Sequence, residues 1–244
     1  MKKIVILMLL LLALSGCGQT KTAILVDEQS YSVTDYPIDT VIVDGDSDNI
    51  ILKASDENDI SVRQYNSENS DEYFSDVEVS GTILTITEGK KPVGAYSRYV
   101  EIYIPASYQG TVCLTNKSGK ITVDNSSNIY PSDFDVQTTS GKIEINGVES
   151  NYMQVTSSSG SIDISNCISP EMNVSSHSGK VSVTIPSITS FSISALTQTG
   201  SVQCDFLPET DSTGHSLTYN TESNPQYNFV LSSNSGVIEI DYSK

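Results

Sequence analysis

A six-residue segment recurs along the second half of this chain and limits what the chain can become. It reads Ser118-Gly119-Lys120-Ile121-Thr122-Val123 and returns around Gly141, Gly160, Gly179, Gly200 and Gly236. Successive glycines stand 22, 19, 19, 21 and 36 residues apart. Self-similarity near a twenty-residue period marks a repeat architecture. Each unit is one supersecondary element that cannot bury its own apolar face and stacks on its neighbours to do so.

The register reaches beyond the segment. Five residues before each glycine stand Leu114, Val136, Val155, Val174, Ala195 and Leu231. Seven before stand Val112, Phe134, Met153, Met172, Ile193 and Phe229. The positions two and four after are β-branched except at Cys204. Alternation at period two buries one face of a strand. The odd interval across the glycine would put the two apolar sets on opposite faces of a straight strand. Both reach one core only if the chain turns at Ser-Gly, and the expectation is that each glycine supplies a backbone conformation closed to other residues. The predicted fold is an all-β solenoid, a β-helix-like stack of rungs about 19–22 residues long. The corners are Gly119, Gly141, Gly160, Gly179, Gly200 and Gly236, with Ser/Thr rows one and three residues before them. A β-sandwich of hairpins with similar turns is the alternative.

The chain divides accordingly. Residues 1–16 read as a signal peptide: Lys2 and Lys3 precede an apolar run from Ile4 to Leu14, too short to span a bilayer comfortably. Leu14-Ser15-Gly16-Cys17 resembles the bacterial lipoprotein box, and that resemblance makes Cys17 the lipid-bearing N-terminus of the mature chain. Residues 17–37 read as the lipidated cysteine and a flexible tether with a brief strand at Ala23–Val26. Residues 38–110 read as a divergent N-terminal β region of the same stack, in which Gly45 and Gly81 keep about two repeat lengths to the next corner, with a looser loop over Gln64–Ser75. Residues 111–244 read as the regular β-repeat solenoid with a C-terminal cap.

The Ser-Gly-x-apolar-x-apolar repeat, preceded by Ile102-Tyr103-Ile104-Pro105, resembles the bacterial adhesin-like β-strand-repeat lipoproteins, which are related to autotransporter-adhesin head domains. The resemblance implies a solenoid in the cell envelope. It implies no established activity and carries no catalytic residue.

Composition narrows the function classes. The chain holds 13 basic and 30 acidic residues; removing Lys2 and Lys3 with the signal leaves 11 − 30 = −19. No Lys/Arg-rich run is present, so nucleic acid is not an expected partner. The membrane contact expected is the N-terminal lipid rather than the body. No phosphate loop, dinucleotide fingerprint or zinc spacing is present, so no cofactor and no metal are expected. Asp44, Asp46 and Asp48 alternate like a calcium loop, but Asn49 and Ser55 stand where its glycine and glutamate belong. His177 sits at a corner and His215 stands apart. Glu144 and Asp163 would be rung neighbours, the one carboxylate pair that a polysaccharide-acting enzyme could use. Cys204 takes a core position, Cys113 points outward and Cys167 lies at a corner, so a Cys113–Cys167 bond is not expected.

Tyrosine remains. If Val100, Ile102 and Ile104 face inward, Tyr99, Glu101 and Tyr103 face outward as a platform for a partner, provided the 92–98 loop leaves them uncovered. The expected function is therefore a lipid-anchored, extracytoplasmic, non-enzymatic adhesin-like scaffold binding a protein or glycan. The alternatives are an envelope-stress or assembly factor binding cell-wall polymer and, further off, the polysaccharide-acting enzyme.

Overall fold

The computed structural model of the protein describes residues 21–33, 37–207 and 214–243. The predicted signal peptide and Cys17 lie outside the described residues, as does the start of the tether.

The N-terminal strands are β1 (Ile24–Ser32), β2 (Thr40–Gly45), β3 (Asn49–Ser55), β4 (Asp59–Asn66), β5 (Asp76–Ser80), β6 (Ile83–Thr87) and β7 (Arg98–Pro105). The first rungs of the regular repeat are β8 (Thr111–Asn116) with β9 (Ile121–Ile129), β10 (Asp133–Thr138) with β11 (Ile143–Val148), β12 (Tyr152–Ser157) with β13 (Ile162–Ser165), and β14 (Glu171–Ser176) with β15 (Val181–Ile185). The chain ends with β16 (Phe191–Thr197), β17 (Val202–Cys204), β18 (Ser216–Asn220), β19 (Tyr227–Ser233) and β20 (Ile238–Tyr242). A single 3-10 turn at Asp71–Tyr73 is the one helical element among the described residues.

These strands make two ten-stranded sheets. The first runs β1-β4-β7-β3-β9-β11-β13-β15-β20-β17 and the second β18-β16-β19-β14-β12-β10-β8-β2-β6-β5. Every repeat puts its strand before the glycine in the second sheet and its strand after it in the first. That resolves the odd interval: Val155 and Ile162 sit in different sheets, and both face the single core between them. The solenoid prediction holds, with Ile143 opposite Ile162 and Val136 opposite Val155 in parallel register.

The stack departs from chain order at both ends. The last rung, β19–β20, inserts between β14–β15 and β16–β17. At the other end β2–β3 inserts between β6–β7 and β8–β9. Gly236 therefore stacks on Gly179, and Gly200 on Gly236. Antiparallel strands close the ends: β5 on β6, β18 on β16, β4 on β7 and β1 on β4. Edge pairing of this kind covers the parallel rungs at three of the four sheet edges, and the short β17 forms the fourth.

Four expectations are corrected. Gly81 is no corner but the left-handed turn of the β5–β6 hairpin, at φ +62°. The loop over Gln64–Ser75 is shorter than expected, since Gln64 to Asn66 complete β4, and the first strand is longer than Ala23–Val26. The corner glycines have no positive φ. Their constraint is proximity. A Cβ on Gly141, Gly160, Gly179, Gly200 or Gly236 would fall closer than 3.0 Å to the carbonyl oxygen of the glycine on the adjoining rung, and one on Gly119 would do the same to Asp48. The glycines form a column in which backbone lies directly on backbone.

The Ser/Thr rows hold that column. Three residues before the glycine, the buried side chains of Asn116, Thr138, Ser176, Thr197 and Ser233 accept the glycine N–H at 2.8–3.1 Å. Ser157 instead donates to the Gly160 carbonyl at 2.8 Å. One residue before, exposed hydroxyls donate across rungs: Ser140 to Lys117 O at 3.2 Å, Ser159 to Thr139 O at 3.2 Å and Ser178 to Ser158 O at 3.3 Å. Buried backbone groups at a corner must find partners, and these side chains supply them.

Candidate interaction face

On the first sheet, β4 and β7 pair antiparallel, and the register sets Tyr65 against Tyr99, Arg63 against Glu101 and Ser61 against Tyr103. Val62, Gln64, Val100 and Ile102 on the alternate positions fill the interior. The predicted parity of Tyr99, Glu101 and Tyr103 is thus the observed one. The two tyrosines are half-buried and Glu101 is buried at 7 % exposure.

The three residues do different things. Tyr99 stacks on Tyr65 with ring centroids 4.5 Å apart and planes 10° apart. Across the next strand Leu25, 42 % exposed, stands opposite Tyr65. On the other side Tyr99 faces the exposed Asn49. The result is a partly apolar stripe, Leu25–Tyr65–Tyr99, running across strands. Tyr103 is held beneath cations: the Arg63 guanidinium lies 4.5 Å from its ring centroid and the Lys53 ammonium 5.4 Å. Such contacts contribute about 0.5–1 kcal/mol at exposed sites.

Glu101 is the clamp. Lys53 Nζ lies 2.6 Å from its Oε1, and the Tyr103 hydroxyl donates to its Oε2 at 2.9 Å. Burial pushes its carboxyl up, but the hydrogen bonds from Lys53, Tyr103 and Tyr65 outweigh that and hold it below the usual range. Burial, then the Glu101 charge, pushes the Tyr65 hydroxyl up to about 12. The same causes raise Tyr99. Arg63 also pairs with Glu28 on β1 at 2.8 Å. The face is a rigid patch of aromatic rings over a satisfied carboxylate, suited to covering by a partner rather than to proton transfer.

Leu25, Lys53, Arg63 and Tyr65 were not singled out from the sequence. The parity of Ile60 and Val62 puts Arg63 and Tyr65 outward, but the antiparallel pairing that joins them to β7 lies outside the repeat.

The Asp44–Asp48 turn is built around an anion. Glu88 Oε2 accepts the N–H groups of Asp46, Ser47 and Asp48 at 2.6, 2.7 and 3.0 Å. Those three bonds overcome burial and lower its pKa. Amides converging on a carboxylate are the reverse of a cation loop. Asp46 pairs with Lys91 and Lys117. Asp48 is buried against Arg98, which also reaches Glu88 at 3.0 Å. Burial, then the Glu88 charge, pushes Asp48 up to about 6 against the pull of Arg98. This cluster staples the β2–β3 corner to the β6–β7 connection.

Glu144 and Asp163 are register neighbours. They line an open groove of about 320 Å³ with Thr122, Asp124, Asn146 and Ser165. Hydrogen bonds from Lys120 and Lys142 hold Glu144 below the usual carboxylate range. His177 is exposed at its corner, its Nδ1 2.8 Å from Asn234 Nδ2. The three described cysteines are free thiols. Cys204, expected inside, is half-buried on the short edge strand. Among the described residues no helix is long and apolar enough to cross a membrane.

A family model described as Toastrack DUF4097 matches the chain over residues 38–184 and 126–241. No curated protein matches. Among solved structures, one from Clostridium sporogenes, provisionally described as a cell adhesion protein, is similar at 12 % identity. It has a TM-score of 0.54, with 89 % of this chain and 99 % of that one covered. One from Bacteroides fragilis, provisionally described as an adhesin, shares 17 % identity at a TM-score of 0.48 over 88 % and 96 % of the two chains.

Proposed function

The chain belongs to the Toastrack DUF4097 family, and from that premise we propose that it is a lipid-anchored, non-enzymatic interaction scaffold of the cell envelope, adhesin-like in role. Its partner, a protein or a glycan, docks on the outer face of the first sheet at Tyr99, Glu101 and Tyr103, with Tyr65 and Leu25 extending the contact. The observation that carries this reading is the Tyr65–Tyr99 stack, 4.5 Å between centroids and half-exposed on a rigid sheet. Aromatic rings locked before binding lose little entropy when covered. The adhesion-type descriptions given to structural neighbours are consistent with such a role. The anchor reading is supported by Lys2, Lys3, the Ile4–Leu14 run and Leu14-Ser15-Gly16-Cys17.

The test is capture from intact cells by chemical crosslinking. A Tyr65→Ala, Tyr99→Ala variant with unchanged thermal unfolding is compared with the wild type. Anchors of this kind contribute about 2 kcal/mol each, so crosslinked partner should fall by well over tenfold. Equal yields would place the binding face elsewhere. Cys17→Ser in parallel should abolish fatty-acid labelling, and retained labelling would end the lipoprotein reading.

A further inference from the structure

The outer faces of the two sheets differ in charge. The first sheet carries the ion pairs Lys53–Glu101, Arg63–Glu28, Lys120–Glu144 and Lys180–Glu239 on or beside its strands. No strand of the second sheet contains a lysine or an arginine. Over β12, β14, β19, β16 and β18 the outward positions lose nearly all charge, with Glu171 the one carboxylate. The middle row there is Gln154, Asn173, Val230, Ser194 and Thr218, successive partners across the strands. The next row sets Thr156, Ser175 and Ser232 beside Leu196.

We propose that this face of the second sheet is a binding surface for an uncharged polysaccharide.

Three properties fit that occupant. Hydroxyl and amide side chains both donate and accept, as sugar hydroxyls require. Because β12, β14, β19 and β16 are parallel and in register, their groups recur about every 4.8 Å along the stack, which suits a repeating polymer. The groove lined by Glu144 and Asp163 lies on the opposite sheet. Leu196 and Val230, 57 % and 43 % exposed, lie diagonally across adjacent strands and offer apolar contact to the C–H faces of sugar rings. Part of the carpet is fixed in advance: the Tyr152 hydroxyl donates to Gln154 Oε1 at 2.7 Å, and Asn173 Nδ2 donates to Glu171 Oε1 at 3.3 Å.

Charge separates the candidates. An anionic polymer is repelled by a chain of net charge −17, and a second copy carries the same charge. A cationic partner would be drawn to the carboxylates elsewhere. A neutral polymer meets a face with almost no charge to desolvate. This surface is separate from the tyrosine face and does not rest on it.

Affinity electrophoresis of the mature, unlipidated protein tests the proposal. Native gels contain hydroxyethyl cellulose, glycol chitin, dextran or polygalacturonate, each compared with a polymer-free gel. At least one neutral polymer should retard the protein and polygalacturonate should not. The Gln154→Glu, Asn173→Asp, Ser194→Asp variant should weaken that retardation at least tenfold, while Tyr65→Ala, Tyr99→Ala leaves it unchanged. Asn173→Asp alone serves if the triple variant unfolds. Absence of retardation by every neutral polymer, or retardation undiminished in the charged variant, would overturn the proposal. So would a doubled sedimentation mass abolished by the same substitutions, which would make the occupant a second copy.

Discussion

Replacing Gly160 by alanine puts a methyl group into the column of stacked corners. The new Cβ would sit closer than 3.0 Å to both the carbonyl oxygen and the carbonyl carbon of Gly141. These are backbone atoms, so no side chain can rotate away. The rungs must separate, straining ladder bonds such as Ser159 N–H to Thr139 O at 2.8 Å and Ile143 N–H to Ser161 O at 2.9 Å. Overpacking costs about 1–3 kcal/mol, and weakening one or two such bonds adds about 1 kcal/mol. The expected loss is about 3 kcal/mol. Gly81 is the control. It needs its left-handed φ of +62°, yet a Cβ there meets nothing within 4 Å, so alanine costs about 1–2 kcal/mol. Asparagine separates the mechanisms, because it tolerates the left-handed region. Gly81→Asn should recover most of that loss, and Gly160→Asn should be no better than Gly160→Ala. The assay is equilibrium unfolding in urea followed by two probes, because stacked repeats can depart from two-state behaviour. A Gly160→Ala protein within about 0.5 kcal/mol of wild type would refute the stacking argument.

Ser176→Ala leaves the buried Gly179 N–H without its 2.8 Å acceptor and should cost about 1–3 kcal/mol, whereas Ser178→Ala, whose exposed hydroxyl donates at 3.3 Å, should stay within about 0.5 kcal/mol in the same urea assay. Asp48, raised to about 6 from 3.8, favours the folded state most when protonated and loses that contribution as pH rises through the folded value. The stability of Asp48→Asn relative to wild type should therefore climb between about pH 4 and pH 6 and level off above, and a flat difference would contradict the burial of Asp48. Burial pushes the Cys167 thiol up to about 12, so Cys167→Ser should remove one thiol from the denatured count with a disulfide reagent and none from the native count.

The repeat was legible because its signal is local. Residues such as Ile143 and Val155 alternate on either side of a turn, and the period fixes which units stack. The reason for the corner glycines was not legible. A positive φ and a close neighbour both select glycine, and only coordinates tell them apart: Gly81 has the first and Gly160 the second. Nor could the sequence show that β19–β20 enters between two earlier rungs. The rung patterns around Gly179, Gly200 and Gly236 are alike, so the sequence does not fix which of these rungs adjoin. Tyr99 and Tyr103 were found by parity alone. Tyr65 was missed because it falls in the loop expected over Gln64–Ser75, whereas it belongs to β4 and pairs antiparallel with β7, outside the period. The Asp44–Asp48 turn shows the converse, where alternating carboxylates suggest a cation while the backbone amides between them hold Glu88.

The proposed docking face is tested most directly by a photo-crosslinking amino acid placed at Tyr99 in the full-length protein on living cells, with the same group at Asp163 as the control. Both positions face outward on the first sheet, but only the first belongs to the tyrosine stripe. Illumination should give a discrete adduct of defined mass at Tyr99, absent at Asp163 and lost when Tyr65→Ala is added. The same adducts at both positions, or none at Tyr99 with the protein intact at the cell surface, would contradict a partner docked on the Tyr65–Tyr99 face.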